Sequence, residues 1–333
     1  MFRKITLAVL LASRFWPGIA RCDDKLVCVD KAADVDARIA ACASLLDQSG
    51  QDPHARSQIL VSRGNAYLRK KDFDHALTDY DEAIKDDASN ADAFLQRGDF
   101  YWTKVQDETA LLNYDEAVRL EPSPRHLLAR AASYSTLLQN DKAIADLTTA
   151  IGDLTKAIGN DPQLATAYVE RGTAYSRENK FDLAIADFDR ALQINPDHMR
   201  ATTGRRNAVD AKGDNIKTAA DFRNMLIARL RIHTSFPRQA VRDKAEGAAK
   251  IGFVVARDGR LLSSSIVTSS GSNVLDWEAL DTVKRAQPFP LLPDGSKETE
   301  SYTVPLIYHI PKTLPYLPAA AAADAAAGSA SHP

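Results

Sequence analysis

The stretch Arg63-Gly64-Asn65-Ala66-Tyr67, followed nine residues on by Ala76-Leu77-Thr78-Asp79-Tyr80-Asp81-Glu82-Ala83, decides the fold of the first part of the chain. It returns after 34 residues as Arg97-Gly98-Asp99-Phe100-Tyr101 and Ala110-Leu111-Leu112-Asn113-Tyr114-Asp115-Glu116-Ala117. The same columns recur as Gly172, Tyr175, Ala184, Phe188 and Ala191, and in weaker form as Ala131, Tyr134, Ala143, Leu147 and Ala150. Small residues at fixed spacing let two antiparallel helices approach closely, and the aromatics fill the holes between them. Asp161-Pro162 and Asn195-Pro196 end helices, because proline cannot continue one and disfavours helical geometry in the residue before it.

Columns of this kind at a period of 34 resemble the tetratricopeptide repeat, over roughly Ser57 to Pro196. The resemblance implies a right-handed solenoid of helix pairs whose concave face holds a peptide or another protein, and no catalysis. Asn65, Arg69, Asp99, Trp102, Thr173 and Arg177 fall on the columns that line that face in the family. They are the expected groove, with solvated surface as the other reading of the same residues. The third unit carries a duplicated heptad, Ile144 to Ala150 followed by Ile151 to Ala157. Seven residues rotate a helix face by only about 20°, so the insertion at 151–157 is expected to add two turns without reversing the buried side. Arg63, Arg97, Arg130 and Arg171 each stand sixteen residues before Asp79, Asn113, Asp146 and Asp187. These arginines read either as a ligand stripe or as halves of ion pairs within each repeat; the constant offset to an acid in three units favours the pair.

Near residue 230 the period changes. Ile251, Phe253 and Val255 alternate on one side of an extended run, Asp258-Gly259 is a hairpin signal, and a second run covers Leu261 to Thr268. Ser272 or Asn273 is expected to cap a short helix presenting Trp277, Leu280 and Val283, with Pro288 as its stop. A last strand places Tyr302, Val304, Leu306, Tyr308 and Ile310 on one face. The sum is a small antiparallel sheet covered by helix, so the fold class is α+β overall, an all-α solenoid followed by a small α+β domain.

This second part resembles the C-terminal domain of the TonB family. The residues that carry the likeness are Phe236-Pro237, Ala240 and Gly247, then Gly252-Phe253-Val254-Val255, Asp258-Gly259-Arg260, Ser269-Ser270-Gly271, Leu275-Asp276, Ala286 to Pro290, and Val304-Pro305. Phe236 stands where the family often has tyrosine. The resemblance implies strand addition, in which an extended segment of an outer-membrane receptor joins the sheet edge through main-chain hydrogen bonds. Ser301, Tyr302, Thr303, Val304, Leu306, Ile307, Tyr308 and His309 form the expected receiving strand. Pro305 lacks an N–H and suits an edge; an edge blocked against aggregation is the other reading of that proline. Energy transducers of the family use a transmembrane helix and often a long proline-rich spacer, and this sequence shows neither. The alternative is therefore a periplasmic repeat scaffold for the cell envelope that transduces no energy.

Composition bounds what remains. The 333 residues, 45% hydrophobic and 26% charged, are ordinary globular material of about two domains. A net charge of -2 leaves no basic excess for a nucleic acid. The longest apolar run, Ile5 to Ala12, is far short of the roughly 20 residues a bilayer needs, so the membrane expectation is limited to weak association. With Arg3-Lys4 before it and Gly18-Ile19-Ala20 after it, that run reads as a signal peptide at 1–20. Arg14 and Pro17 argue against an uncleaved anchor, and Arg21 against lipidation at Cys22. Export places the protein in the periplasm, with inner-membrane anchoring as the alternative, and makes a Cys28–Cys42 disulfide expected; a small apolar residue on a helix is the other reading of Cys42. No metal site, cofactor or catalytic motif is present in the sequence: His-Glu-x-x-His, Gly-x-Ser-x-Gly and phosphate-binding glycine loops are missing. The expected organisation is a signal peptide at 1–20, a capping region at 21–56, the solenoid of four repeats with its capping helices at 57–224, the TonB-like domain at 225–312 and a Pro/Ala-rich tail at 313–333.

Overall fold

A computed structural model describes residues 24–48, 51–156, 162–213 and 216–310; the expected signal peptide and tail lie outside them. Two compact units divide the chain, Met1–Pro122 and Ser123–Pro333. The first holds α1 (24–29), α2 (Val35–Leu46) and two helix pairs, α3 (Pro53–Arg69) with α4 (Phe73–Asp86) and α5 (Ala91–Thr103) with α6 (Asp107–Leu120). The second begins with two further pairs, α7 (Pro124–Thr136) with α8 (Asn140–Lys156) and α9 (Pro162–Arg177) with α10 (Phe181–Ile194). Then come α11 (Met199–Lys212), α12 (Ala219–His233), α13 (Arg238–Arg242), β1 (Gly247–Ala256), β2 (Leu261–Thr268), α14 (Asn273–Arg285) and β3 (Thr299–Tyr308).

The repeated glycine exists because an aromatic ring occupies the space of its missing side chain. A Cβ on Gly64 would lie 2.7 Å from Tyr80 Cε1, and one on Gly98 would lie 2.6 Å from Tyr114 Cε1. Where the ring is replaced by Leu147, the column accepts Ala131. Each pair also turns through one residue in the left-handed region, Lys71, Val105, Leu138 and Asn179, with φ of 63, 60, 58 and 57°. The turn is closed by the amide of the next residue, as when Asp72 N donates to Tyr67 O at 2.9 Å and Gln106 N to Tyr101 O at 3.0 Å. Helix starts follow the usual chemistry: the Asp52 carboxylate accepts from Ala55 N with Pro53 at the first position, and Asn90 accepts from Ala93 N.

The duplicated heptad lengthens α8 to 17 residues against 14 in α4, α6 and α10. Ile151 and Leu154 continue the buried face of Ala143, Leu147 and Ala150, so the side does not reverse. The described part of the helix runs to Lys156, and Ala157, the last residue of the expected insertion, lies with 158–161 outside the described residues.

In the second unit β1 is central, flanked antiparallel by β2 and β3 in the order β2-β1-β3. Asp258-Gly259 makes the β1–β2 turn; Gly259 has φ of +85°, and a Cβ there would come 2.1 Å from Phe289 O. Ile251, Phe253 and Val255 of β1 meet Leu275, Ala279 and Val283 of α14 in one buried core. Trp277, expected on that face, is 65% exposed instead. The buried face carries Glu278 in its place, because Arg285 and the Ser235 N–H and hydroxyl satisfy that carboxylate.

The expected domain boundary at 224/225 falls inside α12. Phe222, Met225, Leu226 and Leu230 of this helix belong to the sheet core, while Ala228 and Ile232 pack with Phe181, Ala208 and Ala211 of the last helices. A helix buried on both sides has no linker chemistry at its middle, and the Thr218–Asp221 capping box marks its true start.

Candidate functional site

β3 is an edge strand whose two sides differ. It pairs with β1 from Gly247↔Tyr308 to Ala256↔Thr299, and no described strand lies beyond it. Arg257 N donates to Glu298 O at 2.9 Å, and Ile310 N to Glu246 Oε1 at 2.7 Å. Antiparallel alternation therefore turns the even residues of β3 toward β1 and the odd ones toward the open rim. Pro305, on the open side, removes no ladder bond. The rim offers the N–H groups of Ser301, Thr303 and Ile307, which are exposed together with His309. Val304, Leu306 and Tyr308 are buried, and Tyr302 packs at 5.8 Å from the Phe253 ring and 5.7 Å from Phe222. The strand is thus anchored by one set of side chains and open along its other set of backbone groups.

The expected groove residues separate. Asp99 and Trp102 are 2% and 1% exposed, a correction to their expected place on an open face. The column after the repeated glycine points into the repeat: the Tyr114 hydroxyl donates to Asp99 at 2.8 Å, and the Tyr80 hydroxyl to Asn65 at 2.7 Å. Thr173 faces Phe188, which has no hydroxyl, and bonds its own helix at Val169 O instead. Sequence held this signal, because Asn or Asp follows the glycine only where the later aromatic is tyrosine. Arg69 is exposed and donates to Lys31 O at 2.7 Å, between α1 and α2.

The arginine column forms ion pairs. Arg63 meets Asp79 at 2.7 Å, Arg130 meets Asp146 at 2.7 Å and Arg171 meets Asp187 at 2.8 Å, each through a second bond from Nε, while Arg97 donates to Asn113 at 2.8 Å. The bond to Asp79 raises the Arg63 pKa above its ordinary value, and Asp187 does the same for Arg171. In the first unit a fully buried disulfide joins Cys28 of α1 to Cys42 of α2.

Thr173 and Arg177 do come together, in a pocket of about 390 Å³ within the second unit that Met199, Arg200, Asn207 and Arg231 also line. These last four follow the last repeat, where no column pattern marks them. A second pocket of about 440 Å³ in the first unit is lined by Phe94, Arg97, Tyr101 and Glu116. Among the described residues no group of His, Cys, Asp or Glu could hold a metal ion, and no helix is long and apolar enough to cross a membrane.

Comparison with known proteins agrees with both parts. Residues 232–310 match the model of the Gram-negative bacterial TonB protein C-terminal, and residues 64–105 and 165–198 match tetratricopeptide repeat models. The protein TonB of Haemophilus influenzae is 24% identical over 110 residues, 33% of this chain; the chain spans 41% of that relative's length. Among solved structures, MamA is 24% identical with a TM-score of 0.43, covering 52% of this chain and 91% of its own. YrrB, described as a TPR protein with an unusual peptide-binding site, is 19% identical with a TM-score of 0.46, covering 57% of this chain and 93% of its own. The chain carries tetratricopeptide repeats and a TonB-type C-terminal domain, both of them non-catalytic protein-interaction modules.

Proposed function

We propose that this is a periplasmic interaction protein that captures an extended segment of an outer-membrane receptor or envelope partner at β3, in TonB-dependent transport, while its repeats hold a second protein or peptide. The observation that carries the reading is the open rim of β3, with outward N–H groups at Ser301, Thr303 and Ile307 on a strand fixed by Val304, Leu306 and Tyr308. Strand addition uses such groups for affinity and the alternate side chains for specificity. Export through the signal at 1–20 and the Cys28–Cys42 bond suit an oxidising compartment. The reading as a scaffold that transduces no energy has one observation in its favour, the continuous α12 that joins the sheet core to the last helices without a spacer.

Ile307→Pro tests the rim. The residue is 61% exposed and its N–H faces outward, so proline costs the isolated domain no ladder bond. Capture of receptors from solubilised outer membranes should fall by about fivefold or more, the worth of one hydrogen bond of roughly 1 kcal/mol. Lys297→Ala, off the strand, should leave capture unchanged. Circular dichroism checks that both variants are folded. A folded Ile307→Pro protein that captures as well as the parent rejects the assignment.

A further inference from the structure

The pocket beside the last repeat has a charge that the repeats do not share. Residues 57–199 hold 24 Asp and Glu against 16 Lys and Arg, whereas 200–260 hold 14 Lys and Arg against 6 Asp and Glu. The sign changes at Arg200, which is where the pocket lies. Of its three guanidinium groups, Arg200 alone forms an ion pair among the described residues. Arg200 donates to Glu170 at 2.7 Å, Arg177 donates only to the main-chain oxygen of Ser135 at 3.1 Å, and Arg231, exposed, makes no ion pair among the described residues. Burial pushes the Arg177 pKa below the ordinary arginine value; Glu170 opposes that fall, and Arg285 and Arg200 add to it. A guanidinium in this setting gains from an anion that brings its own acceptors. Beside the cations lies apolar surface: Met199 is 81% exposed, and Phe188 and Ile232 are part of the lining. A bare inorganic anion leaves that surface in water; a peptide with acidic and apolar residues side by side covers both.

We propose that this pocket binds an acidic peptide segment of a partner protein, with a side-chain carboxylate taken by Arg177 and Arg231 and a neighbouring apolar residue laid over Met199. The inference rests on the reading that the repeats engage a protein segment, and it is independent of strand addition at β3. Arg200 completes the positive field while Glu170 restrains it. Glu170 is therefore the residue whose loss should strengthen binding.

The test uses the full chain and fluorescence anisotropy with a labelled peptide, Ala-Leu-Glu-Glu-Leu-Glu-Ala, against its isostere Ala-Leu-Gln-Gln-Leu-Gln-Ala. The acidic peptide should bind at least about tenfold more tightly, and added salt should weaken it. Arg231→Gln and Arg200→Gln should each weaken it by about tenfold, and Glu170→Gln should tighten it severalfold. Arg231 is exposed, so that variant keeps its fold, which circular dichroism checks. Equal binding of the two peptides, unmoved by the arginine variants, overturns the acidic preference and leaves a peptide-binding repeat standing. Displacement by inorganic phosphate at concentrations equal to the peptide overturns the peptide assignment in favour of a simple anion site. Failure of both peptides to bind overturns the inference at this pocket alone, and the β3 reading is judged separately by Ile307→Pro.

Discussion

Gly98→Ala should destabilise the first unit even though alanine is the better helix former. The added Cβ would stand 2.6 Å from Tyr114 Cε1 and 2.8 Å from Cδ1. Tyr114 is fully buried, and its hydroxyl is held by Asp99 at 2.8 Å, so the ring has no free direction in which to move. Forcing extra volume into a packed core costs about 1–3 kcal/mol. Replacing glycine within a helix gains about 1 kcal/mol. The difference is a net loss of up to about 2 kcal/mol. Gly152→Ala provides the opposite sign, because nothing lies within 4 Å of a Cβ at that position in α8, and the helix gain of about 1 kcal/mol stands alone. The third repeat supplies the rescue: it has Ala131, Ala132 and Leu147 where the second has Gly98, Asp99 and Tyr114. The triple change Gly98→Ala, Asp99→Ala and Tyr114→Leu removes the clash and the acceptor that served the hydroxyl, and should recover stability over Gly98→Ala alone. Urea unfolding followed by far-UV circular dichroism measures all three. A Gly98→Ala protein whose midpoint rises as far as that of Gly152→Ala refutes the argument that the ring dictates the glycine.

Val105→Asn should raise the melting temperature by a few degrees. A β-branched residue at φ of 60° carries a left-handed penalty of about 1–2 kcal/mol that asparagine, present at the equivalent Asn179, largely escapes; a thermal melt with no rise counts against strain at this turn. Acid should weaken the second unit through His233, which burial, with Arg285, Arg177 and Arg229 adding, holds down to about 4. The unfolded chain binds that proton near pH 6.5 and the folded one only near 4, so stability is complete above about pH 6.5 and falls as pH drops toward 4, by about 3 kcal/mol in all. His233→Gln should flatten that part of the pH dependence of the urea midpoint; an unchanged slope between pH 6.5 and 4 removes His233 as its source.

The repeats were legible because their packing is written in columns: a missing Cβ and the ring that replaces it lie sixteen residues apart in Gly64 and Tyr80, and again in Gly98 and Tyr114. The ion pairs were legible for the same reason, a fixed offset between unlike charges. The edge character of β3 could be anticipated from Pro305, since a residue without an N–H is tolerated where none is needed. What escaped were positions whose meaning depends on a distant partner. Glu278 looks like a surface residue until Arg285 and Ser235 are seen to satisfy it, and that error rotated the expected face of α14 toward Trp277. Asp99 falls on a column that lines the groove in the family, and only the Tyr114 hydroxyl that donates to it shows that it points into the repeat. Arg200 and Arg231 lie beyond the last column, so no periodicity pointed to them.

α12 ties these features together energetically. Its Phe222, Met225, Leu226 and Leu230 are each almost fully removed from water within the sheet core, at about 1.5–3 kcal/mol per side chain. Ala228 and Ile232 on its other side pack with the last helices. Arg229 adds polar attachments, donating to Ala211 O at 3.1 Å and to Pro288 O, with its guanidinium 5.3 Å from the Phe181 ring centre; Asn179 donates to Gln287 O at 3.3 Å. Burial lowers the Arg229 pKa, so pulling the sheet away would strip a desolvated cation of its carbonyl and ring partners. The sheet, α12 and the last helices are therefore packed as one body, joined by α12. The rim of β3 and the pocket of Arg177, Arg200 and Arg231 belong to that same compact unit. One partner reaching both would gain its second contact intramolecularly, and the fixed separation would select partners whose extended and acidic segments are spaced to match.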